Sequence, residues 1–306
     1  MKQKDQPTAV LLMAYGSPNS LEEVEAYYTD VRGGRPPSPE LLTALQARYA
    51  RVGGRTPLLE ITKAQADALE TKLGADYRVY IGMKHWHPYI AETIPQILRA
   101  GCQRLIALTL APHYSRMSVE GYFNRVRDAI QKKDTFLNVT FIPSWGEEPL
   151  YIESIAERMS AVLPQFTRPT WDDTLVVFTA HSLPERILMW DDPYPQQLRA
   201  TAELVAARLG LAQWRQAYQS AGRTYEKWLG PDLLEELSYA QQARISQVLV
   251  APIGFVSDHL EILYDIDIEA CARAQELGIE LQRTASANAT SRFIDALAAI
   301  VQRTTE

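Results

Sequence analysis

Histidines in this chain stand just past runs of apolar, β-branched residues, where a parallel sheet delivers side chains to a ligand. His181 follows VVFTA, and Asp258, His259 and Glu261 follow VLVAPIGFVS. In the first half Tyr15, Gly16 and Ser17 follow one such run, Lys84 and His85 a second, and His113 and Tyr114 a third. A lone histidine in a strand-to-helix loop is ordinarily a capping or packing residue. The collective placement is what carries weight, because such loops bring distant parts of a chain together. His181 and Glu261 are therefore expected to face one cleft, where a neutral imidazole and a carboxylate form a donor pair for Fe²⁺ or Zn²⁺.

Glu261, Asp265 and Glu269 in HLEILYDIDIEA are spaced i, i+4, i+8, which places three carboxylates in one row on a helix. Like charges at that spacing repel, and a cation relieves them. A second reading makes Asp258 an N-cap with Glu261 as its capping-box partner, leaving Asp265 and Glu269 as solvated surface. Arg32 and Arg35 in VRGGRPPSPE, with Arg48, Arg51 and Arg55 in LQARYARVGGRTPL, make a local basic group suited to an anionic, carboxylate-bearing ligand. The alternative is that they are solvated helix ends. No GxGxxG, GxxxxGK, HExxH or GxSxG occurs, so dinucleotide, P-loop, zincin and α/β-hydrolase readings lack anchors.

These residues need a scaffold that alternates strands and helices. Strand-like runs fall at 8–14, 78–82, 104–110, 138–142, 174–180, 247–253 and 279–283. Helical spacing fills 21–31, 40–52, 58–73, 90–100, 119–132, 150–163, 195–209 and 290–301. The pattern predicts an α/β protein of two Rossmann-like, doubly wound parallel-sheet domains. The segment PQFTRPTWDD, 164–173, is the best linker by composition. The expected domains are thus 1–163 and 164–306, with the last helix free to pack back on the first domain.

The 306 residues are 46% hydrophobic and 22% charged, the balance of an ordinary globular chain. A net charge of −6 argues against a nucleic-acid partner. Cys102 and Cys271 are the only cysteines, too few for a cysteine-ligated iron–sulfur cluster. MKQKDQPTAV has no signal-peptide core, and apolar runs stop well short of the ~18 residues of a membrane span. A soluble, cytoplasmic protein without integral membrane contact is expected.

The motifs also carry a resemblance. LLMAYGSP, RYARVGGRTPL, GMKHWHP, APHYSRMSVEGY, FTAHSLPER, YQSAGRTYEKWLGP and APIGFVSDHLEILYDID resemble, in order and through both halves, the ferrochelatase family, which inserts Fe²⁺ into a porphyrin. The resemblance implies two Rossmann-like halves with a cleft between them. It implies metal and catalytic roles for His181 and Glu261, and an acidic relay for metal or protons at Asp265 and Glu269. It further implies porphyrin contacts at Tyr15, Arg32, Arg48, Tyr49, Thr56, Tyr122, Lys84 and His85. A tyrosine at position 15 looks like the bacterial branch that uses coproporphyrin III and ligates product iron axially. Thr56 stands where serine is common, and Gly33 where some relatives carry a second arginine, with Arg35 as its candidate replacement. The chain ends at Glu306 without the extension that carries cluster cysteines or membrane contacts in some relatives.

The expectation is a cytoplasmic, cluster-free coproporphyrin ferrochelatase of the haem pathway. It takes Fe²⁺ as substrate, leaves room for an auxiliary divalent cation, and acts as a monomer with transient haem-pathway partners. Competing readings are a protoporphyrin IX ferrochelatase, a chelatase for another tetrapyrrole, a non-catalytic haem or porphyrin carrier, and a Zn²⁺ or Co²⁺ binder without a tetrapyrrole. The arginine group disfavours the last, and the carboxylate row disfavours the carrier.

Overall fold

The computed structural model describes residues 6–133, 136–222 and 224–304. Residues 1–5, on which part of the leader reading rests, and Arg223 of YQSAGRTYEKWLGP lie outside the described residues. The strands are β1 (Thr8–Ala14), β2 (Tyr77–Met83), β3 (Arg104–Thr109), β4 (Asn138–Ile142), β5 (Leu175–His181), β6 (Trp214–Gln219), β7 (Gln247–Ala251) and β8 (Glu280–Arg283). The helices are α1 (Val24–Val31), α2 (Pro39–Arg51), α3 (Leu58–Leu73), α4 (Ile90–Arg99), α5 (Val119–Gln131) and α6 (Pro149–Val162). They continue with α7 (Tyr194–Leu209), α8 (Leu233–Gln242), α9 (Leu260–Leu263), α10 (Cys271–Leu277) and α11 (Ser291–Arg303).

Two four-stranded parallel sheets result, ordered β2-β1-β3-β4 and β6-β5-β7-β8, so the halves share one doubly wound topology. The central strands β1 (TAVLLMA) and β7 (QVLVA) are buried throughout, as continuous apolar runs covered on both faces should be. Edge strands are only partly buried, and one of them, β6, escapes the periodicity reading. Its sequence WRQAYQ is polar, and only Ala217, Tyr218 and Gln219 at its end are buried. Helix α8 is likewise unforeseen, although Asp232 and Glu235 form the capping box that marks its start.

The expected division at 163/164 is corrected. One unit is Met1–Ala111, Ser118–Trp145 and Asn288–Glu306; the other is Pro112–Met117 and Gly146–Ala287. Helix α6 belongs to the second unit because its apolar face packs on α7 and β7, where the buried Tyr151 hydroxyl donates to Ile253 O at 2.7 Å. Helix α11 packs on α3 in the first unit, with Lys72 Nζ 2.7 Å from Asp295 and Gln65 Nε2 donating to Asn288 O at 2.8 Å. The 164–173 segment is no linker. Phe166 is buried, and Arg168 N donates to Gln247 Oε1 at 2.9 Å within the second unit.

Candidate active site

In the second unit the two central strands deliver the pair foreseen from the sequence. His181 ends β5, and the chain leaving neighbouring β7 turns back through 252–259 to start α9 with Glu261 in its first turn. His181 Nδ1 lies 2.9 Å from Glu261 Oε2. The carboxylate accepts a hydrogen bond from Nδ1–H, which leaves the imidazole Nε2 lone pair available to a metal or a proton. The Tyr194 hydroxyl donates to His181 O at 2.8 Å, and Gln219 Nε2 donates to Glu261 O at 2.9 Å. Both backbones are thus held from neighbouring elements.

Burial would lower the His181 pKa, but the charge and hydrogen bond of Glu261, with the Asp265 charge behind, raise it above the ordinary value. Burial would raise the Glu261 pKa; the facing His181 charge and hydrogen bond, with His259 nearby, instead hold it well below the usual carboxylate range. His259, which the sequence placed at a strand end without a role, joins the site. Its Nδ1 donates to Ser257 O at 2.8 Å, and its Nε2 stands 3.9 Å from Glu261 Oε2, too far for a hydrogen bond. Among the described residues no group of three or more His, Cys, Asp or Glu side chains is arranged to hold a metal ion. An open pair that binds metal weakly suits transfer better than a closed cage does.

The acidic row depends on an uncommon turn. Ile262, Ile266, Ala270 and Ala274 recur every fourth residue and all enter the core of this unit. On a 3.6-residue helix that repeat drifts about 40° per step. Here the segment Asp265–Ala270 widens into a π turn, with Glu269 N donating to Tyr264 O at 2.9 Å, which keeps the stripe on the core. Glu261, Asp265 and Glu269 share the same four-residue repeat one position earlier. They grade from half-buried through buried to exposed. Asp265 accepts a short hydrogen bond from Ser220 Oγ, whose backbone is left-handed at φ 62°. The capping-box reading of Glu261 is overturned: His259 precedes α9 without capping it, and Asp258 instead accepts from Ser286 Oγ at 2.7 Å.

In the first unit the ends of β1 and β2 bring Tyr15, Lys84 and His85 together. The ladder continues past both strands, with Lys84 N donating to Ala14 O and His85 N to Tyr15 O, each at 2.9 Å. Tyr15 is 42% exposed, and its ring centroid lies 4.6 Å from that of His85. His85 Nδ1 is 2.8 Å from Asp30 Oδ2. Burial is the main cause that lowers its pKa to about 4, aided by the Lys84 charge and opposed by Asp30, so the ring is neutral at pH 7. Lys84 Nζ sits 4.9 Å above the Tyr122 ring and 3.4 Å from Ser118 O. Gly121 makes room for it, since a Cβ there would come within 2.6 Å of Nζ.

Tyr49 and Thr56 are both buried and meet through Ser17, which the sequence placed at a strand end without a role. Thr56 Oγ1 donates to Ser17 Oγ at 2.8 Å, and Ser17 Oγ lies 3.1 Å from the Tyr49 hydroxyl. Arg32 caps α1, its Nε donating to Arg35 O at 3.3 Å while Arg35 Nε returns to Arg32 O at 3.4 Å. Arg48 lies in the last turn of α2. Asp30 and Ser220 carried no spacing signal, since each matters only through a partner distant in sequence.

Burial, followed by the nearby Arg125 charge, lowers the Lys84 pKa to about 8. Between about pH 8 and 10.5 the unfolded chain binds more protons at this lysine than the folded one does. Lys84 therefore destabilises the fold below pH 8 and ceases to do so as pH rises toward 10.5. Lys84→Met is expected to stabilise the protein by about 1–3 kcal/mol at pH 7, shrinking toward zero near pH 10.5. Urea unfolding of both proteins at the two pH values checks this; an equal difference at both would show that the ammonium is well solvated.

Two doubly wound four-stranded parallel sheets with flanking helices make the chelatase class of fold. SirB from Bacillus subtilis with Fe³⁺ has that fold: it superposes with a TM-score of 0.62 over 97% of this chain and 95% of its own, at 10% identity. The ferrochelatase family model matches residues 7–305. A ferrochelatase of Herpetosiphon aurantiacus is 48% identical over 298 residues, covering 96% of this chain and 98% of its own. A coproporphyrin III ferrochelatase of Halalkalibacterium halodurans is 40% identical over 300 residues, covering 96% of each chain. The chain belongs to the ferrochelatase family, enzymes of the lyase class that insert iron into a porphyrin. No helix among the described residues is long and apolar enough to cross a membrane.

Proposed function

We propose that this ferrochelatase takes coproporphyrin III as its porphyrin and releases its iron complex to the haem pathway, and that it works in the cytoplasm as a cluster-free monomer. Tyr15 carries the choice of substrate. It is a partly exposed phenol just past the carboxyl end of a central strand, its ring tilted against that of neutral His85, which suits it to ligate the iron of the product. Relatives bearing the name coproporphyrin III ferrochelatase support the same branch.

Insertion replaces two pyrrole protons by one Fe²⁺ ion, and a flat macrocycle hides the nitrogens. The enzyme gains by binding a bent ring more tightly than the relaxed one. His181 and Glu261 receive iron and take up the pyrrole protons, because an imidazole with a free Nε2 backed by a carboxylate both ligates a metal and accepts a proton. Asp265 and Glu269 continue this function outward, passing protons away and drawing cations in. Arg32 and Arg48 hold propionates, which are more numerous on coproporphyrin than on protoporphyrin. Tyr49, Thr56, Tyr122, Lys84 and His85 shape the porphyrin surface around them.

Anaerobic Fe²⁺ insertion into coproporphyrin III and protoporphyrin IX, measured side by side, tests the reading. The kcat/KM for coproporphyrin is expected to exceed that for protoporphyrin at least about tenfold, on the order of 1.4 kcal/mol. The reverse order would overturn the substrate. Tyr15→Phe is expected to shift the absorption spectrum of the bound product; an unchanged spectrum removes Tyr15 as a ligand.

A further inference from the structure

Outside the residues already given roles, one side chain touches both flanks of the segment that carries Glu261 and Asp265. Arg283 ends β8. Its Nε and Nη2 grip Asp267 in the π turn as a fork, at 2.5 Å to Oδ1 and 2.8 Å to Oδ2. The same Nη2 stands 3.5 Å from Asp258 Oδ1, three residues before Glu261, and Nη1 donates to Thr284 O at 3.0 Å. The Arg283 side chain is 18% exposed and that of Asp258 22%, whereas Asp267 lies at the surface. Asp258 and Asp267 bracket Glu261 and Asp265 in the chain.

We infer that Arg283 is a positioning residue for metal insertion, fixing the distance between the loop before α9 and the π turn so that Glu261 and Asp265 keep their places beside His181 and Ser220. The inference rests on the metal role proposed for Glu261. A π turn is uncommon and needs support from outside the helix. The apolar stripe supplies that support on the core side, but its alkyl contacts leave rotation and sliding of the turn loosely fixed. A planar fork bound bidentately to one carboxylate and reaching a second fixes both. A lysine, a point charge on a flexible stem, keeps the attraction and loses the fixed geometry.

Arg283→Lys, Arg283→Gln and Asp267→Asn are measured for insertion kinetics and for amide hydrogen exchange over 258–270. Each variant is expected to lower kcat/KM for Fe²⁺ at least tenfold while KM for the porphyrin stays within about threefold. Exchange over 258–270 is expected to quicken while that of the β5 and β7 amides does not. Lysine should recover less than a third of the lost activity. Arg283→Lys combined with Asp267→Asn should be no worse than the poorer single variant, since one staple is cut either way. Should Arg283→Gln fail to fold, Arg283→Lys and Asp267→Asn carry the test. Wild-type kinetics and unchanged exchange in these two would overturn the inference alone. A wild-type chain that inserts no metal would bring down the functional reading and this inference with it.

Discussion

His181→Ala should abolish iron insertion while leaving porphyrin binding intact. The imidazole serves as metal ligand and, once the iron has passed to the ring, as proton acceptor, and a positioned base alone is worth roughly 10²–10⁴ in rate. The fall in kcat should therefore be at least about 10³-fold, with the porphyrin dissociation constant, read from fluorescence quenching, within about threefold of wild type. Glu261→Gln should cost nearly as much. The amide keeps the shape but removes the charge that raises the His181 pKa. Because the two groups act as a unit, the double variant should be scarcely slower than the worse single one. Activity above a tenth of wild type in His181→Ala would remove it from the chemistry.

That pair was legible in the sequence for a physical reason. Strand ends in doubly wound sheets converge, β5 and β7 are neighbours, and their strongly apolar sequences advertise them. The surrounding apparatus was not legible. Edge strand β6 is polar because solvent covers part of it, so it leaves no apolar run, yet its end supplies Gln219 and Ser220 to the site. The four-residue repeat from Glu261 to Glu269 showed that three carboxylates share a face. It did not show that a π turn keeps them there, since the repeat alone also fits a drifting α-helix. The unit boundary was missed because a helix joins whichever sheet its apolar face covers, and α6 carries no sequence mark of its choice. The Asp258–Glu261 spacing gave a false capping signal, because the carboxylate of Glu261 is drawn to His181, 80 residues away.

Asp192→Ala should give the largest loss of stability among variants outside the metal pair. Asp192 is 1% exposed and lies within DDPYP, just before α7. Its Oδ2 accepts from Ser115 Oγ at 3.0 Å and Arg116 N at 2.8 Å, and its Oδ1 from Tyr194 N at 3.1 Å. Alanine leaves these donors facing a void, at about 1–3 kcal/mol for each that stays buried and unpaired. Allowing for water entering the space, urea unfolding should show a loss of about 3–5 kcal/mol. Asp192→Asn should fall between, since the amide keeps one acceptor and turns an N–H toward a donor. The damage should also reach the chemistry, because Tyr194, whose amide Asp192 holds, supports His181 through its hydroxyl. Asp192→Asn should therefore lower kcat by no more than Tyr194→Phe, which removes the last link outright. If Asp192→Ala lost less than about 1 kcal/mol, ordered water would have to satisfy all three donors, and the 112–117 segment would owe its place to His113 and Thr201 instead, joined at 2.8 Å.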